Sequence, residues 1–267
     1  MVNNLDEIVA ELKTDGIVVV NDVYSSEQCD EFRDILDRAV AKRRSIQSYC
    51  GDDTNQVLDN YFTDDPSLLE LLYQPITDKV MRRMIDDDYV LISPSARNRR
   101  LVVDGKFGKK TSGHGWHTDS RFTQGGRGFE PSLCYMAVVL IDDFACDNGA
   151  THFIRGSHKL YQRPEDRDAD LDYENMVGKA GSVVIFDTAL WHRVGEASRK
   201  SRWGVFNTFG PWFMKPYHRF WEMFSEQEFS EMSPIIKQML HCDSLPPRDH
   251  DESMITLRRV RERVECV

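Results

Sequence analysis

The sequence predicts an α+β fold in which a mainly β core lies between helices at both ends of the chain. Short β-rich runs, separated by Gly, Asp and Asn, extend from Tyr89 to about Phe209. Several short strands at this spacing are typical of a sandwich or barrel. Amphipathic helical patterns precede and follow these runs, and no linker interrupts the 267 residues. We therefore expect one domain, with a helical N-terminal part over residues 1–88, a β core over 89–212 and a helical C-terminal part over 213–267.

Composition restricts the class of partner. The formal net charge is -10, which argues against nucleic acid because phosphate binding needs a basic face. There is no apolar run long enough to span a membrane, and the polar N-terminus does not resemble a signal peptide. The six cysteines are scattered, which is typical of reduced thiols in a cytoplasmic protein. We expect a small-molecule partner, with neither nucleic acid nor a membrane, and no pattern specifies an oligomeric state.

Local signals place the first elements. Asn4 can cap a helix that Gly16 ends, and Ile17–Val20 follows as a buried strand. Ser25 and Gln28 form a capping box for a second helix. Residues 45–64 are polar and indicate a loop, either a lid or a plain connection. Pro66 begins the next helical stretch, and another covers residues 76–85.

The β core and the C-terminal part follow from the same patterns. Strands are expected at Tyr89–Ile92, Arg97–Val103, Trp116–Asp119, Leu133–Ile141, Thr151–Ile154, Ser182–Phe186 and Arg202–Phe209. Helices are expected at Tyr217–Phe224, Glu226–Glu231, Pro234–Leu240 and Met254–Val264. These segments are the basis for the chemistry considered next.

A histidine and a carboxylate, His117 and Asp119, stand two residues apart in a predicted strand. Residues i and i+2 of a strand point to the same face, so both groups can bind one metal ion. His192, after the strand Ser182–Phe186, is the best candidate for a third ligand. Two histidines and one carboxylate on one face of an ion form the facial triad of non-haem Fe(II) oxygenases, which leaves other positions open.

The HxD pair is weak evidence alone, because short motifs match by chance. The competing interpretation is a surface strand with two polar side chains. Other histidines also compete for the third position: His114, His152, His158, His218, His241 and His250.

An arginine suits the co-substrate of such an oxygenase. The usual co-substrate, 2-oxoglutarate, chelates iron through one end, and its distal carboxylate needs a bidentate cation. Arg202 lies ten residues after His192 and begins a predicted strand. Arg193 and Arg199 are nearby alternatives, and a turn with solvated charges is the competing interpretation for all three.

A longer pattern resembles a known family. The run Asp147–Lys159 contains Asn-Gly and then Gly-Ser-His-Lys, similar to a signature of the phytanoyl-CoA dioxygenase family, and the strand Tyr135–Asp142 resembles the one that follows the family's HxD. The resemblance covers residues 10–215 approximately. It implies a double-stranded β-helix (jelly roll) that uses Fe(II), 2-oxoglutarate and O2.

The resemblance also assigns roles by position. It makes His117, Asp119 and His192 the catalytic iron ligands. It places Arg202, Tyr135 and Thr151 at 2-oxoglutarate, with Arg199 in reserve because some members have the arginine eleven residues after the histidine.

The chain departs from the family pattern at two other places. Arg155 replaces the common proline before Gly-Ser-His. Arg193-Val194 follows the distal histidine where members often have Gly-Ser, which removes one hydroxyl contact to 2-oxoglutarate.

Asp119 indicates the type of reaction. Related halogenases have Gly or Ala in place of this carboxylate, so its presence favours hydroxylation, or another oxidation of a C–H bond, with release of succinate and CO2. The substrate is expected to be a small polar metabolite, such as an amino acid or natural-product intermediate. The preferred substrate contacts are Arg121, Phe122, His114 and Asn207. Further polar candidates are Asn98, Arg99, Arg100, Ser120 and Trp212.

Two other functions remain open from the sequence. One is an inactive oxygenase-like protein that binds or senses a ligand, against which the complete triad argues. The other is a cupin-type metalloprotein that does not use 2-oxoglutarate. Neither would release succinate.

Overall fold

The computed structural model describes residues 4–46, 55–99, 115–120, 130, 132–195, 202–242 and 250. Its α-helices are α1 (Leu5–Asp15), α2 (Ser26–Ser45), α3 (Pro75–Met84), α4 (Glu226–Glu231) and α5 (Pro234–Met239). Short 3-10 helices cover Tyr61–Thr63, Pro66–Leu71, Ser157–Leu160 and Phe220–Glu222.

The strands form two antiparallel sheets. They are β1 (Ile17–Val20), β2 (Asn55–Asp59), β3 (Val90–Arg99), β4 (Tyr135–Leu140), β5 (His152–Phe153), β6 (Glu174–Asn175), β7 (Val183–Asp187), β8 (His192–Arg193) and β9 (Arg202–Gly210). The larger sheet has the order β1-β7-β4-β9-β3-β2, and the smaller has the order β6-β5-β8. The arrangement is a jelly roll with helices around it, as expected.

The two faces of the larger sheet pack against different layers. Ala137 and Val139 of β4 join the hydrophobic core shared with α1, α2 and α3. Met136 and Val138, which alternate with them, join a second core with Phe153 of the smaller sheet. Residues of opposite parity in a strand therefore lie in different layers. This parity decides which side chains can reach the space between the sheets.

Local capping signals are confirmed. Asn4 and Glu7 form a capping box at α1, and Ser25 with Gln28 forms another at α2. These boxes satisfy amide groups that would otherwise lack partners in the first turn. Gly16 ends α1 in the left-handed region at φ 79°, where a residue without a Cβ is least strained.

Several boundaries differ from expectation. The two strands expected at Tyr89–Ile92 and Arg97–Val103 are one strand, β3, as far as the chain is described. The expected loop over residues 45–64 includes β2, which pairs with β3 at the sheet edge. Thus β1 and β2 of the N-terminal part complete a sheet whose other strands come from the core. The sequence did not predict β2 because only alternate residues of this strand are buried, so the segment is polar overall.

The helices expected near the C-terminus are only partly found. The segments expected at Glu226–Glu231 and Pro234–Leu240 are α4 and α5, with α5 ending at Met239. The stretch Tyr217–Phe224 forms a 3-10 turn over Phe220–Glu222. The helix expected at Met254–Val264 lies outside the described residues. Within the described part of the chain, no helix has the length and apolar character needed to cross a membrane.

Candidate metal centre

A backbone pairing brings the two halves of the site together. The His117 amide donates to the His192 carbonyl, and the His192 amide donates to the His117 carbonyl, each at 3.0 Å. Nearby, the Asp119 amide donates to the Thr188 carbonyl at 2.8 Å. His117 forms an isolated bridge with His192, and the strand expected at Trp116–Asp119 is not formed. The bridge still fixes both segments against each other.

The three side chains converge from this bridge. Nε2 of His192 lies 3.3 Å from Oδ2 of Asp119, and Nε2 of His117 lies 4.0 Å from Oδ1. One donor atom from each residue lies within 4.8 Å of the others, so the three can hold one metal ion. The donor set is two imidazoles and one carboxylate, which suits iron, and it occupies one side of the ion.

Hydrogen bonds to backbone carbonyls fix the tautomer of both imidazoles. Nδ1 of His117 lies 2.8 Å from the Gly115 carbonyl oxygen, and Nδ1 of His192 lies 2.9 Å from that of Leu190. A carbonyl oxygen only accepts hydrogen bonds, so each Nδ1 carries the hydrogen and each neutral ring presents a bare Nε2. A hydrogen bond from the ring nitrogen that does not bind the metal orients metal-binding histidines in this way. The residues therefore fit a metal in hydrogen bonding as well as in position.

Arg202 provides a buried cation in the same cleft. Its side chain is 2% exposed, and Nη2 donates to the Gly149 carbonyl at 2.5 Å. The guanidinium carbon lies 3.8 Å from the centre of the Phe144 ring. Burial, with the positive charges of Arg99 and Arg97, lowers the pKa of Arg202 to about 9, so the group stays protonated at neutral pH.

One nitrogen of Arg202 has no hydrogen-bond partner among the residues that the structure describes. This nitrogen is the buried Nε. An unsatisfied buried donor on a charged group is costly, and a ligand carboxylate is the group that would satisfy it. The arginine therefore fits the distal carboxylate of 2-oxoglutarate.

The cleft around these groups brings together residues from both sheets. Its described lining comprises Asn55, Ile92, Ser93, Ser95, Arg97, Arg99, His117, Asp119, Met136, Thr151, His192, Val194, Arg202, Phe206, Thr208 and Tyr217. Thus His117, Asp119, His192, Arg202 and Thr151 share one space.

Two expected site residues lie on the wrong face. Asn207 is buried on the helix side of β9, where its side chain accepts from the Tyr61 hydroxyl and donates to the Leu71 carbonyl. Tyr135 belongs to the core between the large sheet and the helices, and its neighbour Met136 lines the cleft. The expected substrate role of Asn207 and the expected co-substrate role of Tyr135 are therefore corrected. Three other substrate candidates, His114, Arg121 and Phe122, lie outside the described residues, as do Arg100 and Arg199.

Strand parity also sorts the remaining polar candidates. Arg99 lines the cleft, but Asn98 points to the other face and donates to Gln56 at 3.1 Å. Arg97, on the same face as Arg99, was not among the candidates. The signal was present in the sequence, because alternate residues of a strand share a face. Neither Ser120, which bonds Thr188, nor Trp212 is part of the described lining.

Arg193 has a structural role behind the metal residues. Its guanidinium carbon lies 4.5 Å from the Trp116 ring centre and 5.1 Å from that of Tyr173. Trp116 and Arg193 directly adjoin His117 and His192 in the chain. This cation–π contact therefore ties together the two segments that carry the histidines.

The Asn-Gly and Gly-Ser-His segments brace the site. Asn148 holds its own turn by accepting from the Ala145 amide and donating to the Asp143 carbonyl. Ser157 accepts from the Trp191 amide at 2.8 Å, one residue before His192. Arg155, in the position of the common proline, pairs with Asp15 and Glu174. These segments act on the site through the backbone.

A jelly roll that gathers two histidines and one carboxylate beside an open cleft belongs to the class of non-haem iron oxygenase folds. The chain is a member of the phytanoyl-CoA dioxygenase (PhyH) family, whose sequence model matches residues 12–204. The dioxygenase hkm4 of Aspergillus hancockii is 25% identical over an alignment that covers 91% of this chain and 83% of that protein.

Two solved structures share the fold at low sequence identity. The epimerase SnoN, in complex with Fe3+, α-ketoglutarate and nogalamycin RO, has a TM-score of 0.58 and 14% identity, covering 78% of this chain and 83% of that chain. HygX from Streptomyces hygroscopicus, with nickel, 2-oxoglutarate and hygromycin B bound, has a TM-score of 0.60 and 16% identity. That alignment covers 79% of this chain and 89% of HygX.

Proposed function

We propose that this protein is an Fe(II)- and 2-oxoglutarate-dependent dioxygenase that hydroxylates an unactivated C–H bond of a small polar metabolite. The observation that carries the proposal is the convergence of His117, Asp119 and His192 in a cleft that also contains the buried Arg202. Family membership and the metal and 2-oxoglutarate held by two proteins of similar fold support the same chemistry.

The residues have separate tasks in this function. His117, Asp119 and His192 would hold the iron, and the hydrogen bonds at Nδ1 keep both imidazoles oriented. Arg202 binds the distal carboxylate of 2-oxoglutarate, and Thr151 lines the same cleft. Iron bound there, with 2-oxoglutarate and O2, would supply the oxidation of the C–H bond, with succinate and CO2 as the other products. The buried walls of the cleft limit the access of water to the reacting groups.

The first experiment measures cofactor binding without turnover. Anaerobic addition of Fe(II) and 2-oxoglutarate should produce the visible charge-transfer band of their chelate. The double variant Asp119→Ala plus His192→Ala should abolish the band, because it leaves only one of the three ligands. His218→Ala, which changes an exposed histidine elsewhere, should keep it. Absence of the band from the native protein, or its survival in the double variant of Asp119 and His192, contradicts the proposal.

The second experiment identifies the reaction. A metabolite screen should find compounds that stimulate succinate release, and mass spectrometry should show a product with one added oxygen atom. A product of unchanged mass and inverted stereochemistry would indicate epimerisation, the activity of SnoN, a protein of similar fold. An inactive binding protein, or a cupin-type protein that does not use 2-oxoglutarate, would release no succinate.

A further inference from the structure

We propose that the substrate carries an anionic group, a carboxylate or a phosphate, and that Arg97 recognises it. This proposal rests on the proposed function, since it assigns a substrate class to the same cleft. It concerns a part of the wall that the metal ligands and Arg202 do not use.

Strand β3 supplies a polar wall to the cleft. Ser93, Ser95, Arg97 and Arg99 all line it, as expected for alternate residues of one strand. The Arg97 Nε donates to the Ser95 hydroxyl oxygen at 3.2 Å, and the guanidinium carbon lies 5.8 Å from the Phe206 ring centre. Within the described part of the chain, no hydrogen bond involves the terminal nitrogens of Arg97, so both are available for a ligand.

The charge of the cleft is unbalanced. Among the described residues, three arginines and one carboxylate, Asp119, line it. Iron adds two positive charges, and 2-oxoglutarate brings two negative charges. The surplus persists in a chain whose formal net charge is -10. Such a cleft attracts an anion, although the negative net charge of the whole protein repels one.

Sheet register separates Arg97 from the anion assigned to Arg202. Arg99 is the cross-strand partner of Arg202, and Arg97 is opposite Gly204. Like charges directly opposite each other are destabilising. The Arg99–Arg202 pair therefore favours an anion between the two side chains, and the proposed function assigns this place to 2-oxoglutarate. Arg97 lies two residues further along the strand, about 7 Å away, which is far enough for a second anion.

The surroundings of Arg97 favour a substrate rather than a structural ion pair. Arg97 is exposed, and no described carboxylate pairs with it. Phe206 and the exposed Tyr217 add aromatic surface to the same cleft. An arginine fork binds carboxylate and phosphate in a bidentate manner. A small molecule with an anionic group on a carbon framework matches this combination.

The test is a calorimetric titration of protein loaded with Fe(II) and saturated with 2-oxoglutarate under argon. The probes are benzoate, phenyl phosphate and the neutral benzamide. We expect at least one anionic probe to bind more than tenfold tighter than benzamide, and the better probe identifies the anion. Arg97→Gln should weaken that binding by ~10- to 100-fold, the loss of one charge-assisted contact. Arg97→Lys should lose less, and Arg83→Gln, at an exposed helical position, should change nothing.

The outcomes separate this proposal from the function on which it rests. Equal affinity for benzoate, phenyl phosphate and benzamide, or anion binding unchanged in Arg97→Gln, overturns the role of Arg97. The iron–2-oxoglutarate band is recorded on the same samples, and it should persist in Arg97→Gln. If the native protein shows the band but binds anionic and neutral probes equally, only the proposed substrate class is refuted. If the native protein shows no band, the proposed iron chemistry itself is refuted.

Discussion

His117 and His192 exchange two backbone hydrogen bonds of 3.0 Å, and their imidazole rings lie 4.3 Å apart between centroids. The pairing joins segments that are distant in the chain. Each imidazole also donates from Nδ1 to a carbonyl within its own segment. The backbone thus sets both the separation and the orientation of the two nitrogens that face Asp119.

Fe(II) binding should stabilise the native protein. A metal that binds only the folded state, at a thousand times its dissociation constant, adds about 4 kcal/mol. For a domain of this size that raises the melting temperature by about 10 °C. Differential scanning calorimetry under argon measures the shift. The shift should vanish in the double variant Asp119→Ala plus His192→Ala and persist in His218→Ala. An equal shift in both variants would place the metal elsewhere.

Arg202→Met should stabilise the protein while it removes co-substrate binding. The substitution replaces a fully buried guanidinium whose Nε has no partner. We expect a gain of about 1 kcal/mol without ligand, the range of favourable single substitutions, and no stabilisation by added 2-oxoglutarate. Thermal melts with and without 2-oxoglutarate measure both effects. A variant that is destabilised without ligand yet still responds to 2-oxoglutarate would refute the role of Arg202.

Gly195→Ala should disturb the backbone that holds Arg202. An added Cβ would clash with the Ala150 carbonyl oxygen and lie 3.1 Å from the Gly149 carbonyl carbon. The Gly149 carbonyl oxygen accepts a hydrogen bond from Arg202. We expect a loss of about 2 kcal/mol in stability and roughly tenfold weaker 2-oxoglutarate binding, equivalent to about 1.4 kcal/mol. Chemical denaturation and anaerobic titration of the visible band measure these quantities.

Gly156→Ala is the matched control for Gly195→Ala. Its added Cβ would meet no atom within 4 Å, but its φ of +74° is unfavourable for alanine. This variant should lose about 1 kcal/mol of stability and keep the native affinity for 2-oxoglutarate. Equal losses of affinity in both variants would indicate a global effect rather than a displaced Arg202.

His241 should contribute to loss of stability in acid. Burial lowers its pKa below the ordinary value, and Nε2 donates to the Leu91 carbonyl at 2.9 Å. The unfolded chain then binds a proton more readily than the folded one. The stabilising contribution of neutral His241 is complete above about pH 6.5, the pKa of histidine in the unfolded chain. It is lost as the pH falls towards the lower pKa of His241 in the folded protein.

His241→Gln should therefore become relatively less harmful at low pH. The difference in unfolding free energy between the native protein and this variant should narrow between pH 7.5 and pH 5, by at most about 1.4 kcal/mol per pH unit. Urea denaturation at several pH values measures it. His218→Gln, at an exposed position, should show no narrowing. A constant difference for His241→Gln would contradict a lowered pKa.

The sequence was most informative where a few adjacent residues decide the structure. The capping boxes at Asn4 and Ser25 and the terminating Gly16 depend on contacts within one turn of helix. The metal-binding groups of His117 and Asp119, an imidazole and a carboxylate, are likewise evident from the sequence. His192 and Arg202 were also candidates from the sequence, the family resemblance assigned them the same roles, and the structure places all four residues in one cleft.

Strand parity explains the main errors in the expected site. Arg202, Phe206 and Thr208 line the cleft, so Asn207 has to face the helices. A shift of one residue moves a side chain to the other face of a sheet, which also separates Tyr135 from Met136. Parity relative to Arg202 could have excluded Asn207 from the sequence alone.

The sequence by itself determined the chemical groups available: two imidazoles, a carboxylate and several arginines in a jelly-roll framework. Only the tertiary structure decided that His117 lies on a bridge to His192, that the buried Nε of Arg202 has no hydrogen-bond partner among the described residues, and that Arg97 shares its cleft. These relationships depend on strand pairing between distant segments. Pairing register is set by packing of the whole sheet, and no local pattern specifies it.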